Sequence, residues 1–74
     1  MTAPRFDTLL ITGAAGRLGT QLRRGLAPLA RRLRLQDRVP IAGLQPNEEA
    51  VTCDLADMPA ILKATQGVDA IVHF

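Results

Sequence analysis

Apolar residues gather into short blocks along the chain, and the spacing inside each block changes from one to the next. Residues 8–12 (TLLIT) are apolar at the centre, β-branched at the ends and closed by Gly13, the pattern of a short strand buried in a parallel sheet. Leu18, Leu22, Leu26 and Leu29 then recur on one helical face. Their spacing predicts a helix from about Arg17 to Leu26 or slightly beyond, with the leucine stripe turned to a sheet and Pro28 fraying or ending the last turn. Gln21, Arg23 and Arg24 fall on the other side. Residues 32–36 (RLRLQ) alternate charged and apolar positions with Asp37 at their C-terminal end, which is the period of a strand.

Pro40, Gly43, Pro46 and Asn47 punctuate residues 39–49 as a loop. A short strand is predicted over residues 50–53. Asp57 is placed to cap a helix that starts near Met58, tolerates Pro59 in its first turn, carries Ile61 and Leu62 inward and ends at Gly67. Residues 69–74 (DAIVHF) begin another buried strand. The order strand, helix, strand, strand, helix, strand predicts an α/β fold, a doubly wound parallel sheet with right-handed crossovers. Ligands of such sheets bind beyond the carboxyl ends of the strands, where the strand order reverses.

The predicted first crossover lies there, and it reads TGAAGRLG, with Gly13, Gly16 and Gly19 at every third position. Gly13 permits the tight turn from strand to helix, and Gly16 lets main-chain N–H groups and the positive helix end approach a pyrophosphate. Gly19 lets the helix pack closely on the strand. Asp37 follows Gly19 by 18 residues, where a carboxylate accepts hydrogen bonds from the adenosine ribose and repels a 2′-phosphate. These features point to a dinucleotide and favour NAD over NADP, although Arg38 next to Asp37 pulls the other way. A triphosphate-hydrolysing loop would need Lys and Ser or Thr after its last glycine; the chain has Thr20 and Gln21 after Gly19.

Composition narrows the remaining classes. Hydrophobic residues make up 47% of the 74 and charged residues 22%, the balance of a packed domain rather than a disordered tail. The net charge of +2 hides an uneven distribution: residues 17–38 hold seven arginines against Asp37, whereas five carboxylates face Lys63 beyond them. A nucleic-acid surface would add aromatic stacking partners, and Phe6 and Phe74 lie outside the cluster. Most of these arginines therefore read as the solvated side of a helix and its exit. The single cysteine, Cys53, excludes an internal disulfide and reads as an unreactive thiol on or beside a strand. With no signal-like N-terminus and no apolar run long enough to span a bilayer, a cytoplasmic setting without a membrane partner is expected.

The TGAAGRLG spacing, Asp37, the Cys53-Asp54-Leu55 turn and the Ile71-Val72-His73 strand together resemble the start of an extended short-chain dehydrogenase/reductase of the NAD-dependent epimerase/dehydratase family. RLRLQD, PNEEAVTCDLAD and GVDAIVHF narrow the resemblance to bacterial uronate dehydrogenases, which oxidise galacturonate or glucuronate to the aldarolactone with NAD. The resemblance implies a Rossmann-type sheet of which residues 1–74 hold the first βαβ-βαβ portion, an incomplete domain. It also implies that Gly13, Gly16 and Gly19 shape the pyrophosphate turn and that Leu18 belongs to the same cofactor-binding set. Arg17 either reaches the pyrophosphate or stays solvated. Asp37 would hold the adenosine ribose, Asp54 would accept from the adenine amino group or else cap the following helix, and the Leu55 amide would donate to the ring.

Such enzymes carry a later Tyr-x-x-x-Lys pair with a Ser or Thr. This sequence has no tyrosine, and its sole lysine, Lys63, belongs to the second helix. The expectation is an N-terminal, NAD-binding piece of an oxidoreductase with no catalytic residue or metal of its own, and with the sugar-acid substrate bound by the full-length enzyme. His73 reads as a satisfied wall residue. Weak independent folding is expected of so small a unit. A sugar-nucleotide epimerase or dehydratase would share this opening, and a non-catalytic NAD-sensing module is the reading from another class. Oligomeric state is not encoded in these features.

Overall fold

In the computed structural model, which describes residues 5–73, the β-branched and apolar run at the start of the chain becomes the central strand of a four-stranded sheet. This strand, β1 (Phe6–Thr12), pairs in parallel with β2 (Ala30–Asp37) on one side and β4 (Ala70–Val72) on the other, while β3 (Glu48–Thr52) lies outside β2. The order β3-β2-β1-β4 reverses direction beside β1, so the sheet is the opening half of a Rossmann-type doubly wound plan. The expected α/β class and order of elements hold. Phe74, the last residue of the predicted fourth strand, lies outside the described residues.

Register sorts the side chains onto two faces. Leu9 stands opposite Leu33 and Ile11 opposite Leu35, and these four with Ala14 and Ala30 form the buried core. Helix α1 (Arg17–Leu26) closes that face through Leu26, and a 3-10 turn, Ala27–Leu29, containing Pro28 then leads into β2. The other face carries Thr8, Leu10, Thr12 and Gln36, all buried. There α2 (Met58–Ala64) begins at Asp57, whose carboxylate accepts from the Ala60 amide at 3.3 Å. Gly67, at φ +72, turns the chain beyond the end of that helix.

The leucine stripe is only half right. Leu22 and Leu26 are half-buried, but Leu18 is 58% exposed, Leu29 40% exposed, and the buried residue of α1 is Gly19. The helix touches the strand end through the position without a side chain, so its neighbour Leu18 is displaced from the contact. On α2, Ile61 is half-buried and Ala64 buried, whereas Leu62, expected inward, is 61% exposed. Positions 61 and 64 share a helical face, and 62 lies about 100° round from 61.

The third strand starts at Glu48, two residues before the expected start, and leaves Cys53 outside it. Adjacent glutamates that read as loop are strand residues because each meets an arginine on its own face of the pleat. On the α1 face, Glu48 takes two hydrogen bonds from Arg23, at 2.7 and 3.1 Å, and this guanidinium also donates to the carbonyls of Ala42 and Gly43. On the α2 face, Arg34 donates to Glu49 at 2.8 Å and to the carbonyls of Ala64 and Gln66. Arg23 and Arg34 are thus tie points rather than members of a solvated basic face.

The Arg23 and Glu48 side chains are 12% and 4% exposed. Hydrogen bonding from Arg23 outweighs burial and holds the Glu48 carboxyl below its ordinary 4.5, and the same bond raises the Arg23 guanidinium against the opposing effect of burial. A lowered carboxyl contributes stability that is complete above its unfolded value and lost as pH falls through its folded value. Acidification should therefore destabilise the chain, and Glu48→Gln should flatten that loss in denaturation followed by circular dichroism. Arg23→Ala, which strands a buried carboxylate, should cost on the order of 3 kcal/mol at neutral pH in the same assay.

Candidate functional site at the carboxyl ends of the strands

The turn after β1 is built around glycine for two separable reasons. Gly13 sits at φ +68, a conformation that side chains rarely adopt. At Gly19 a Cβ would lie 2.6 Å from the Gly13 carbonyl oxygen and 2.8 Å from Ala14 Cα, so any larger residue pushes α1 away from the turn. Gly16 differs. A Cβ there would meet the Gly13 carbonyl at an ordinary 3.4 Å, so packing within the chain imposes no requirement for glycine at this position.

Three successive amides of this turn face inward. Gly13 N–H donates to Gln36 Oε1 at 3.4 Å, Ala14 N–H to the Gln36 main-chain carbonyl at 3.0 Å, and Ala15 N–H to Asp37 Oδ2 at 3.0 Å. The next amide, of Gly16, closes the turn on the Gly13 carbonyl at 3.2 Å. Helix α1 then begins with Gly16 as an extended N-cap that offers no side-chain hydrogen bond. Among the described residues, the N–H groups of Arg17, Leu18 and Gly19 have no main-chain or side-chain acceptor. They form the positive end of the helix, and of the three residues Arg17 and Leu18 are exposed to an approaching anion while Gly19 is buried.

Asp37 is held before any ligand arrives. Beyond its bond from Ala15, Oδ1 accepts from the amides of Arg38 at 2.6 Å and Val39 at 3.3 Å. Its main-chain carbonyl accepts from Cys53 N–H at 3.0 Å, which draws the Asp54 turn alongside. Asp54 Oδ1 accepts from Ala56 N–H at 2.9 Å, while the cap of α2 is Asp57. The capping alternative for Asp54 therefore belongs to its neighbour three residues on. A cleft of about 340 Å³ opens between Gly13, Gln36, Asp37, Arg38, Asp54 and Leu55.

Four of the residues singled out from sequence, Gly13, Asp37, Asp54 and Leu55, thus line one cleft. Gly16, Arg17, Leu18 and Gly19 stand at the start of α1, outside the cleft lining. The Arg17 side chain is exposed and makes no hydrogen bond or ion pair among the described residues. Gln36, 1% exposed, is the member that sequence reasoning missed; its signal was a polar residue at a buried register position next to Asp37. At the end of β4, His73 is exposed and its Nδ1 lies 2.7 Å from the Thr12 hydroxyl, so the ring is partnered as expected, though not walled in. Cys53 is a free, half-buried thiol beside β3. A larger cleft of about 440 Å³ lies on the α2 face near Arg34, Cys53 and Lys63 and includes no residue of the glycine turn. Among the described residues no group of three or more His, Cys, Asp or Glu could hold a metal ion, and no helix is long and apolar enough to cross a membrane.

No protein-family model matches the chain. Over 75 aligned positions it is 52% identical to a uronate dehydrogenase of Pseudomonas putida, an alignment that takes in 100% of this chain and 28% of that protein. A tyrosine-to-alanine mutant of uronate dehydrogenase from Agrobacterium tumefaciens, complexed with NAD, superposes with a TM-score of 0.88 at 51% identity, over 92% of this chain and 26% of that one. The chain resembles the N-terminal part of uronate dehydrogenases. A short-chain dehydrogenase/reductase superfamily protein from Agrobacterium tumefaciens with bound NAD also matches, with a TM-score of 0.76 at 32% identity over 92% of this chain and 20% of that chain. The chain spans about a quarter of the length of the uronate dehydrogenases it matches.

The two helical glycines give a direct check on the turn. Gly19→Ala should destabilise by about 2 kcal/mol through overpacking. Gly25→Ala, where a Cβ meets nothing within 4 Å, should gain about 0.5 kcal/mol from helix propensity. Chemical denaturation of the two variants measures both.

Proposed function

We propose that residues 1–74 form the NAD-binding opening of an oxidoreductase of the uronate dehydrogenase type, with its catalytic and substrate-contacting residues outside these 74. The observation that carries this reading is the division of labour in the glycine turn. The amides of Gly13, Ala14 and Ala15 are committed to β2, and those of Arg17, Leu18 and Gly19 are left without an acceptor near a cleft lined by two carboxylates, the first two on exposed residues. Gly16, which packing within the chain does not require, is the N-cap of that helix end, and its bare position leaves space for a close ligand. Similarity to uronate dehydrogenases, one of them solved with NAD, supports the same reading.

In this proposal the open amides and the α1 dipole meet the pyrophosphate oxygens. Asp37, its carboxylate oriented by three main-chain amides, accepts from the adenosine ribose hydroxyls and repels a 2′-phosphate. Asp54 keeps Oδ2 for the adenine amino group while Oδ1 stays on Ala56, and the Leu55 amide donates to the ring. When bound there, NAD would supply a hydride acceptor for oxidation of the anomeric carbon of a uronic acid to the aldarolactone, the hydroxyl proton leaving to a base outside these residues. The described residues bind and orient the cofactor, and none is assigned to the proton or hydride step.

Gly16→Val should weaken NAD binding more than about tenfold, because an added isopropyl group fills the approach to the pyrophosphate, while costing less than about 1 kcal/mol of stability. Equal NAD affinity in calorimetry of the variant and the parent would defeat the proposal. Asp37→Ser should weaken NAD binding by about tenfold, the loss of charge-assisted hydrogen bonds, and narrow the preference over NADP. Parallel titrations with the two cofactors check that shift.

A further inference from the structure

Gln36 reaches two turns with a single carboxamide. Its Nε2 donates to the Cys53 carbonyl at 2.6 Å and lies 3.8 Å from Cys53 Sγ, while its Oε1 accepts from Gly13 N–H at 3.4 Å. An acceptor at one end and a donor at the other fix which way the amide faces. Both principal partners are main-chain groups, so the backbone of each turn is tied to the position of this one side chain. The side chain is 1% exposed and forms part of the cleft between Gly13 and Asp54.

We infer that Gln36 is a positioning residue for the adenosine half of a dinucleotide, holding the glycine turn and the Asp54–Leu55 turn at the separation that this half of the ligand spans. The inference rests on the NAD-binding reading above and adds a residue outside the predicted cofactor set. Asp37, next in the chain, anchors Ala15 N–H and Cys53 N–H, whereas Gln36 anchors Gly13 N–H and the Cys53 carbonyl. Two adjacent residues therefore pin both sides of the cleft from its floor, Gln36 through its carboxamide and Asp37 through its carboxylate on one side and its main-chain carbonyl on the other. Without the carboxamide, the Cys53 carbonyl and Gly13 N–H lose their partners, and the two turns are held to β2 only through the amides of Ala14, Ala15 and Cys53, which leaves their separation less tightly fixed. Apparent affinity then falls by the fraction of molecules that still hold the binding geometry.

Two variants test this by calorimetry in the protein, titrated with NAD and with ADP-ribose. Gln36→Met keeps the length and removes both polar ends, and Gln36→Asn keeps the amide but is one methylene too short to reach both turns. Each should bind both ligands about tenfold more weakly at unchanged stoichiometry. A merely structural role would lower the stoichiometry at unchanged Kd. That result, or parental affinity in both variants, overturns the inference and leaves the NAD-binding reading intact. Failure of the unaltered protein to bind NAD removes the reading itself, and the inference with it. Should circular dichroism show that neither variant folds, Gln36 serves folding and the assignment is withdrawn.

Discussion

The last two residues of β2 receive three consecutive amides of the glycine turn, and the rest of the site follows from that contact. A tight turn that puts Gly13 at positive φ has main-chain donors to satisfy, and buried donors without partners are costly. Gln36 and Asp37 take those of Gly13, Ala14 and Ala15. With the first half of the turn satisfied inwardly, the chain enters α1 with its next unpaired amides facing out. The open helix end is therefore the remainder of an internal hydrogen-bond pattern, and it exists before any ligand is present.

The same constraint joins the two sides of the doubly wound sheet. Parallel strands place their carboxyl ends side by side, so the β2 terminus touches the β1 turn on one flank and the β3 exit on the other. At the opposite end of β3 the pleat sends Glu48 and Glu49 to different faces, where Arg23 and Arg34 bind helices and loops to the sheet. An outer strand bearing two paired glutamates is both tethered and, by its charge, a poor template for unwanted strand addition.

Much of this was readable from the sequence. The order of elements, the bounds of α1, the Asp57 cap and the pairing of Gly13 with Asp37 emerged from local spacing and turn chemistry, which are short-range signals, whereas Asp54 and Leu55 were added only by the family resemblance. What sequence reasoning missed depends on distant partners. Glu48 and Glu49 look like loop residues until arginines 25 and 15 positions away meet them. Leu18 looks like core until Gly19 draws the helix in by its bare position and turns the leucine outward. Gln36 looks like a strand terminus until the turns on both sides are in place.

One further tie sits at the far end of the sheet. The Asp69 carboxylate accepts from the amides of Asp7 and Thr8, both at 2.9 Å, and its own N–H donates to the Thr8 carbonyl. The donors are separated from it by 62 and 61 positions. On a translating ribosome, β2 emerges early enough to zip onto one edge of β1, yet the other edge stays bare until residue 69 has left the exit tunnel. The central strand is thus the first to be made and among the last to be sealed, and a holdase chaperone would find its apolar flank available for most of the interval.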